Sequence, residues 1–236
     1  MSLSEAKSFL SNWFAEALLR EGVWDPAIFK AFFMAGGPGS GKSYVSRQVT
    51  AGHGLVTVNS DTAFEIALKK AGISMKLDPD EAHIWGPIRA HAGELTQKRQ
   101  AHWMHERLGL VIDGTGREAG KIQQQKHALE QLGYDTYMIF VNTSLDVALA
   151  RNQQRERTVP EDVVVEAWNN VQKNIPVFHG MFGGNFILVH NDNASQDDLD
   201  VAAKAVRAHV TAPPKNPIAL KWIADRGGTG AIAKWD

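Results

Sequence analysis

The sequence contains no cysteine. That excludes disulfides, thiolate metal sites and cysteine nucleophiles, and it fits a reducing compartment, so a cytoplasmic location is expected. Charge of one sign is also missing. Lysine and arginine total 25 against 26 aspartate and glutamate, a formal net charge of −1. No global field therefore recruits nucleic acid or an anionic membrane, and any such binding falls to local patches. The chain shows no basic-then-apolar leader pattern, and none of its apolar runs approaches bilayer-spanning length. Internal repeats and low-complexity tracts are absent as well. A length of 236 residues with this ordinary composition suits one well-buried α/β core with an appendage.

Against this plain background one stretch stands out. Gly36-Gly37-Pro38-Gly39-Ser40-Gly41-Lys42-Ser43 reads G-x-x-x-x-G-K-[ST], the pattern of a phosphate-binding loop. Its glycines let successive backbone N–H groups turn inward toward phosphate oxygens. Lys42 is placed to reach the β- and γ-phosphates, and the Ser43 hydroxyl to hold Mg²⁺. A glycine turn that happens to precede a lysine would lack the flanks found here. Ala31 to Ala35 is a short apolar run that suits a buried parallel strand. Tyr44 to Val49 opens a helix whose N-terminus adds partial positive charge. The expected cofactors are ATP and Mg²⁺, with Gly37, Pro38, Gly39, Ser40, Gly41, Lys42, Ser43, Tyr44 and Arg151 as nucleotide-binding candidates.

Taken in order, the chain alternates strands with helices. Residues 2–20 carry Leu3, Ala6, Phe9, Leu10, Trp13, Phe14, Ala17 and Leu18, a helical stripe expected to pack on the core. Strands are expected over 31–35, 55–61, 110–113, 136–142 and 186–189. Helices are expected over 62–71, 81–108, 119–132, from a Ser144 cap toward Arg151, from Pro160 to about Asn174, and from a Ser195 cap to about Val210. The helix over 81–108 is weakened by Gly86-Pro87. Its His102 and His105 stand three apart, but no third ligand with zinc spacing accompanies them, and a solvated face is the better reading. The expected fold is an α/β P-loop NTPase fold: a five-stranded parallel sheet flanked by helices, an arginine-bearing lid and a C-terminal tail. Its divisions fall at 1–28 for an N-terminal helix, 29–210 for the P-loop domain and 211–236 for the tail.

A P-loop alone does not choose among hydrolase, GTP switch and kinase. A hydrolase of the AAA or helicase type needs a glutamate beside the strand-end aspartate, and Gly114 follows Asp113 here. No Asn-Lys-x-Asp guanine reader is present, and no DFG or HRD element of the protein-kinase fold. Asp61 and Asp113 end the second and third strands, so both can face the P-loop across one crevice. One carboxylate can hold Mg²⁺ while the other accepts a proton from an attacking hydroxyl. Arg151, Arg155 and Arg157 can close over the phosphates and spread charge on a transferring phosphoryl group, although a solvated helix face would look the same.

These residues together resemble a known group. The P-loop, Asn59-Ser60-Asp61, Ile112-Asp113-Gly114-Thr115-Gly116-Arg117 and the arginines from 151 to 157 are similar to the zeta-toxin-like and polynucleotide-kinase-like P-loop kinases. The resemblance runs from about Phe29 to Asn193. It implies that Asp61 is the general base, that Thr115 and Arg117 contact the acceptor, and that Lys42, Arg155 and Arg157 serve catalysis with Asp113 and Ser43 at the metal. Zeta toxins usually carry glutamate where Asp113 stands, which weakens a specifically UDP-sugar reading. Val58 to Glu65, Gly133 to Thr143, and Arg157 through Gln172 look like bacteriophage kinases, some of which phosphorylate 5-hydroxymethyluracil in phage DNA.

That resemblance implies DNA with a modified base as the partner and the host cytoplasm as the location. Arg89, Lys98 and Arg99 on the long helix, with Lys221, Arg226, Lys234, Trp222 and Trp235 on the tail, are the candidate DNA contacts. A UDP-amino-sugar, a nucleotide or a polynucleotide 5′ end are the other acceptors, and a non-catalytic ATP-binding module is the alternative class. No membrane partner is expected, and the oligomeric state is not legible.

Overall fold

The structure of the chain, a computed structural model, describes residues 25–75, 79–154, 159–193 and 196–226. The helix expected over 2–20, Arg155, Arg157, the Ser195 cap, Lys234 and Trp235 lie outside the described residues.

The strands are β1 (Lys30–Ala35), β2 (Val56–Val58), β3 (Leu110–Asp113), β4 (Asp135–Asn142) and β5 (Phe186–His190). They form one sheet in the order β2-β3-β1-β4-β5, and every pairing is parallel. The expected α/β fold with a five-stranded parallel sheet is the observed one. β1 lies at the centre, with Phe33 in register with Ile112 on one side and Met138 on the other. All of its residues are buried, as a strand covered on both faces requires.

Helices cover both faces: α1 (Lys42–Thr50), α2 (Ser60–Ala71), α3 (Ala82–His105), α4 (Ala119–Gln131), α5 (Leu145–Gln153), α6 (Glu161–Phe182), α7 (Gln196–Thr211) and α8 (Pro217–Ala224). The two-residue period of β1 divides its side chains between two apolar layers. Ala31, Phe33 and Ala35 join Ile122, Leu129, Val171, Phe178 and Ile223 from α4, α6 and α8. Phe32 and Met34 join Val45, Val49, Leu199 and Val206 from α1 and α7. A third, smaller cluster ties Phe64 and Leu68 of α2 to Ile88 and Ala92 of α3.

α3 is the long helix expected, and α6 runs further than expected. α3 runs through Gly86-Pro87 without a break. α6 does not stop at Asn174 but continues past Pro176 to Phe182. Its apolar residues Val171, Phe178 and Phe182 share one buried stripe, and their burial outweighs the one backbone hydrogen bond the proline removes.

The described part of the tail packs on the body of the domain. Asn216 caps α8, its side chain accepting from the Ile218 N–H, and Pro217 opens the helix. Trp222 meets Phe29 edge-on at 5.4 Å, and the Arg226 guanidinium lies 3.9 Å over the Trp222 ring. A Cβ on Gly133 would stand 3.0 Å from the Ala219 nitrogen, and the residue's φ of +101° also asks for glycine. Phe29 and Gly133 precede β1 and β4, so α8 docks at the amino ends of the strands, opposite the P-loop. Trp222 is therefore a packing residue, and the expectation that it stacks on an unpaired base is corrected.

A buried ion pair fastens the same end. Lys30 is fully buried and donates to Asp135 Oδ2 at 2.9 Å. The same oxygen accepts from the Lys215 backbone N–H at 2.9 Å. Burial pulls the Lys30 pKa below its ordinary value, against the opposing pull of Asp135. Asp135→Ala strands this ammonium, so a loss of about 3–5 kcal/mol is expected in urea unfolding. Deleting residues 213–236 is expected to lower the thermal midpoint by removing the Pro213 carbonyl and the Lys215 N–H that join this pair, together with the Trp222–Phe29 contact, with ATP and acceptor use falling together rather than acceptor use alone.

Candidate active site

The P-loop leaves the carboxyl end of β1 and turns into α1. Gly39 and Gly41 hold φ near +75°, the left-handed region that favours glycine. Close approach adds a second reason. A Cβ on Gly39 would stand 2.3 Å from the Ala148 carbonyl of α5, and one on Gly41 2.3 Å from Asn191 Nδ2. Gly37, Pro38 and Gly39 are half-buried, Ser40 is buried, and Ser43 and Tyr44 are exposed at the mouth. The Gly41 carbonyl starts α1 by accepting from Tyr44 and Val45. Among the described residues, the N–H groups of Gly39, Gly41, Lys42 and Ser43 make no backbone hydrogen bond. Free donors at a helix N-terminus are what phosphate oxygens require.

The carboxylates occupy different surroundings. Asp113, at the end of β3, pairs with the Lys42 ammonium through Oδ1 and accepts from Asn59 Nδ2 at 2.5 Å through Oδ2. Asp61 lies in the first turn of α2 and is not its cap. Asn59 is the cap, its side-chain oxygen accepting from the Asp61 N–H at 2.7 Å. The Asp61 carboxylate is 61% exposed and pairs with Arg89 of α3 at 2.8 Å. Asn59 thus serves both aspartates, holding one side chain and the other's helix. The Asn-Ser-Asp pattern marked this region, but the double role needs the fold.

Thr115 and Arg117 sit exposed on the loop after β3. The Thr115 carbonyl accepts from the Gly36 N–H at 3.3 Å, joining this loop to the P-loop. Asn174 of α6 donates to the carbonyls of Gly116 and Arg117 at 2.9 and 3.0 Å. α6 also lends Trp168, which donates to the Thr143 carbonyl at 2.8 Å and passes beside Gly37.

Arg151 stands at the end of α5. Its Nη2 donates to the Asp192 carbonyl at 3.0 Å, while Nη1 is buried with no partner among the described residues and lies close to Gly41. Asp192 accepts from the Thr143 hydroxyl and the Ser144 N–H, which hold its carboxyl below the usual carboxylate range. Asn152 donates to the Val159 carbonyl and accepts from the Val159 N–H.

The donor set fits Mg²⁺. The Ser43 hydroxyl and the Asp113 carboxylate are hard oxygen ligands, and Mg²⁺ is commonly held by one or two such groups with phosphates and water completing the shell. Among the described residues no group of three or more His, Cys, Asp or Glu gathers for a metal, and no helix is long and apolar enough to cross a membrane. A phosphate in the P-loop would compete with Asp113 for Lys42, freeing that carboxylate for the metal.

A profile of the AAA domain (AAA_33) matches residues 32–177, from β1 into α6. The chain belongs to this AAA-domain family. Solved structures share the fold of this AAA-domain chain at low identity. A chain from the PezAT chromosomal toxin–antitoxin system of Streptococcus pneumoniae is 13% identical, with a TM-score of 0.57 and 96% of each chain covered. A proposed kinase from Chloroflexus aurantiacus is 16% identical, with a TM-score of 0.55, covering 76% of this chain and 97% of the other. A chain of the AvrRxo1-ORF1:-ORF2 complex with ATP is 12% identical, with a TM-score of 0.51 and coverage of 93% and 88%. No curated protein matches the sequence. The AAA-domain chain therefore has a kinase-like P-loop fold. The family name does not restore the water-activating glutamate, since Gly114 still follows Asp113.

Proposed function

We propose that the protein is an ATP- and Mg²⁺-dependent kinase that transfers the γ-phosphate to a hydroxyl. The observation that carries this is the division of two aspartates at one sheet edge. Asp113 is engaged by Lys42 beside the P-loop, and Asp61 is exposed at the mouth of the crevice. In this reading Asp61 accepts the hydroxyl proton as the acceptor oxygen forms its bond to the γ-phosphorus, and the bond to the β-phosphate oxygen breaks to release ADP. The P-loop N–H groups and Lys42 hold the phosphates, and Arg151 lends its free Nη1. Arg155 and Arg157 carry charge over the transferring group, and Thr115 and Arg117 hold the acceptor. Ser43 and Asp113 would hold Mg²⁺, which when bound would supply neutralisation of the developing charge.

The acceptor favoured by the motif resemblance is the hydroxymethyl group of 5-hydroxymethyluracil in phage DNA. Arg89, Lys98 and Arg99 of α3 remain its candidate backbone contacts; Arg89 is shared with Asp61, and Arg99 lies over the Trp103 ring. The experiment is transfer of labelled γ-phosphate to DNA with and without hydroxymethylated bases, beside free nucleotides, 5′-hydroxyl ends and UDP-amino-sugars. For the DNA reading, the acceptor constant is expected to rise with salt. Log affinity should fall about 0.7–0.9 per phosphate contact for each tenfold rise in salt. A salt-independent constant, or hydroxymethyl-nucleoside monophosphate serving as well as DNA, leaves a nucleotide kinase. Labelling of the UDP-amino-sugar alone makes it a zeta-type enzyme, and ATP binding without turnover makes it a binding module.

A further inference from the structure

We infer that Asn191 is a positioning residue for phosphate, setting the direction of the Gly41 N–H from outside the P-loop. The inference rests on the nucleotide-binding reading of the loop and goes beyond it. Asn191 follows the last residue of β5 and is 6% exposed. Its backbone N–H continues the sheet by donating to the Asn142 carbonyl at 2.8 Å. Its side-chain Nδ2 donates to the Ser40 carbonyl at 2.6 Å, across 151 residues of sequence.

The consequence follows from the peptide plane. The Ser40 carbonyl and the Gly41 N–H belong to one trans peptide unit, so they point in opposite directions. Tying the carbonyl outward to Asn191 turns the Gly41 N–H inward, toward the concave side that the loop presents to phosphate. Gly41 can accept this turn because its φ of +76° is open to glycine. It can also accept the nearness of Nδ2, since a Cβ there would lie 2.3 Å from that atom. Without the amide, a buried carbonyl loses its donor, and the plane is free to rotate toward another partner. The same β5 exit anchors Arg151 through the Asp192 carbonyl. One short loop thereby orders two neighbouring parts of the phosphate cradle.

The test uses binding rather than turnover. Wild-type protein, Asn191→Leu and Asn191→Ala are titrated with Mg²⁺-ATP and Mg²⁺-tripolyphosphate, and the ¹⁵N-labelled Gly41 amide is followed. The leucine variant is close to asparagine in shape but donates nothing, and the alanine variant replaces it should leucine not fold. Both keep the backbone bond to Asn142. Affinity for both probes is expected to fall about tenfold or more, by the same factor, as for loss of one hydrogen bond to a charged group. The Gly41 resonance should move strongly with phosphate in the wild type and little in the variants. A purely structural role would lower the melting temperature and leave the tripolyphosphate affinity of the folded protein within twofold, and that result overturns the inference while the nucleotide reading stands. Failure of the wild type itself to bind either probe defeats the nucleotide reading and this inference with it.

Discussion

Lys42→Ala is expected to abolish phosphoryl transfer and leave the fold intact. Lys42 opens α1, and its ammonium meets Asp113 at the site itself. Removing it takes away a point charge that would lie on the β- and γ-phosphates and sharpen its hold as charge shifts to the leaving oxygen. The loss should match or exceed the 10²–10³-fold typical of removing one oxyanion-stabilising donor. Among the described residues Asp113 would keep the Asn59 amide as its partner. Thermal unfolding should change little. Transfer within tenfold of wild type would remove this loop from the chemistry.

Asp61→Asn has the next largest expected effect. The amide is nearly isosteric but accepts no proton, so turnover should fall by about 10²–10⁴ while ATP binding persists. The surroundings of Asp61 support this separation. It lies at the exposed mouth, paired with Arg89, and it is Asp113 that Lys42 engages. Because Asn59 rather than Asp61 caps α2, the substitution leaves the helix start in place. A collapse of ATP affinity in this variant would exchange the roles, making Asp61 the metal ligand and Asp113 the base.

What the sequence disclosed and what it hid divide along a physical line. Strands such as Ala31 to Ala35 were legible because a strand covered on both faces must be apolar throughout, and the P-loop because its glycines and lysine are local necessities. Asp61 and Asp113 were legible because parallel βαβ units bring strand ends to one edge. Asn174, Asn191 and the double role of Asn59 were not, because their work lies in hydrogen bonds to carbonyls or side chains remote in sequence. An asparagine in a loop or on a helix carries no sign of such a partner. The extension of α6 through Pro176 was hidden for a related reason. Local propensity argues for a stop, and only the layer formed with Phe33 and Phe140 rewards continuing. Trp222 misled in the opposite sense, since a tryptophan beside exposed cations suggests nucleic acid until it is found against Phe29.

The central claim is that phosphate passes to a hydroxyl and not to water. ³¹P NMR of a reaction containing the protein, Mg²⁺-ATP and the hydroxymethylated DNA distinguishes these outcomes directly. The account predicts a new phosphomonoester resonance growing in step with ADP, absent with Lys42→Ala, and inorganic phosphate as a minor product. ADP appearing with inorganic phosphate alone, across that DNA, free nucleotides and UDP-amino-sugars in turn, would contradict it and make the protein a hydrolase.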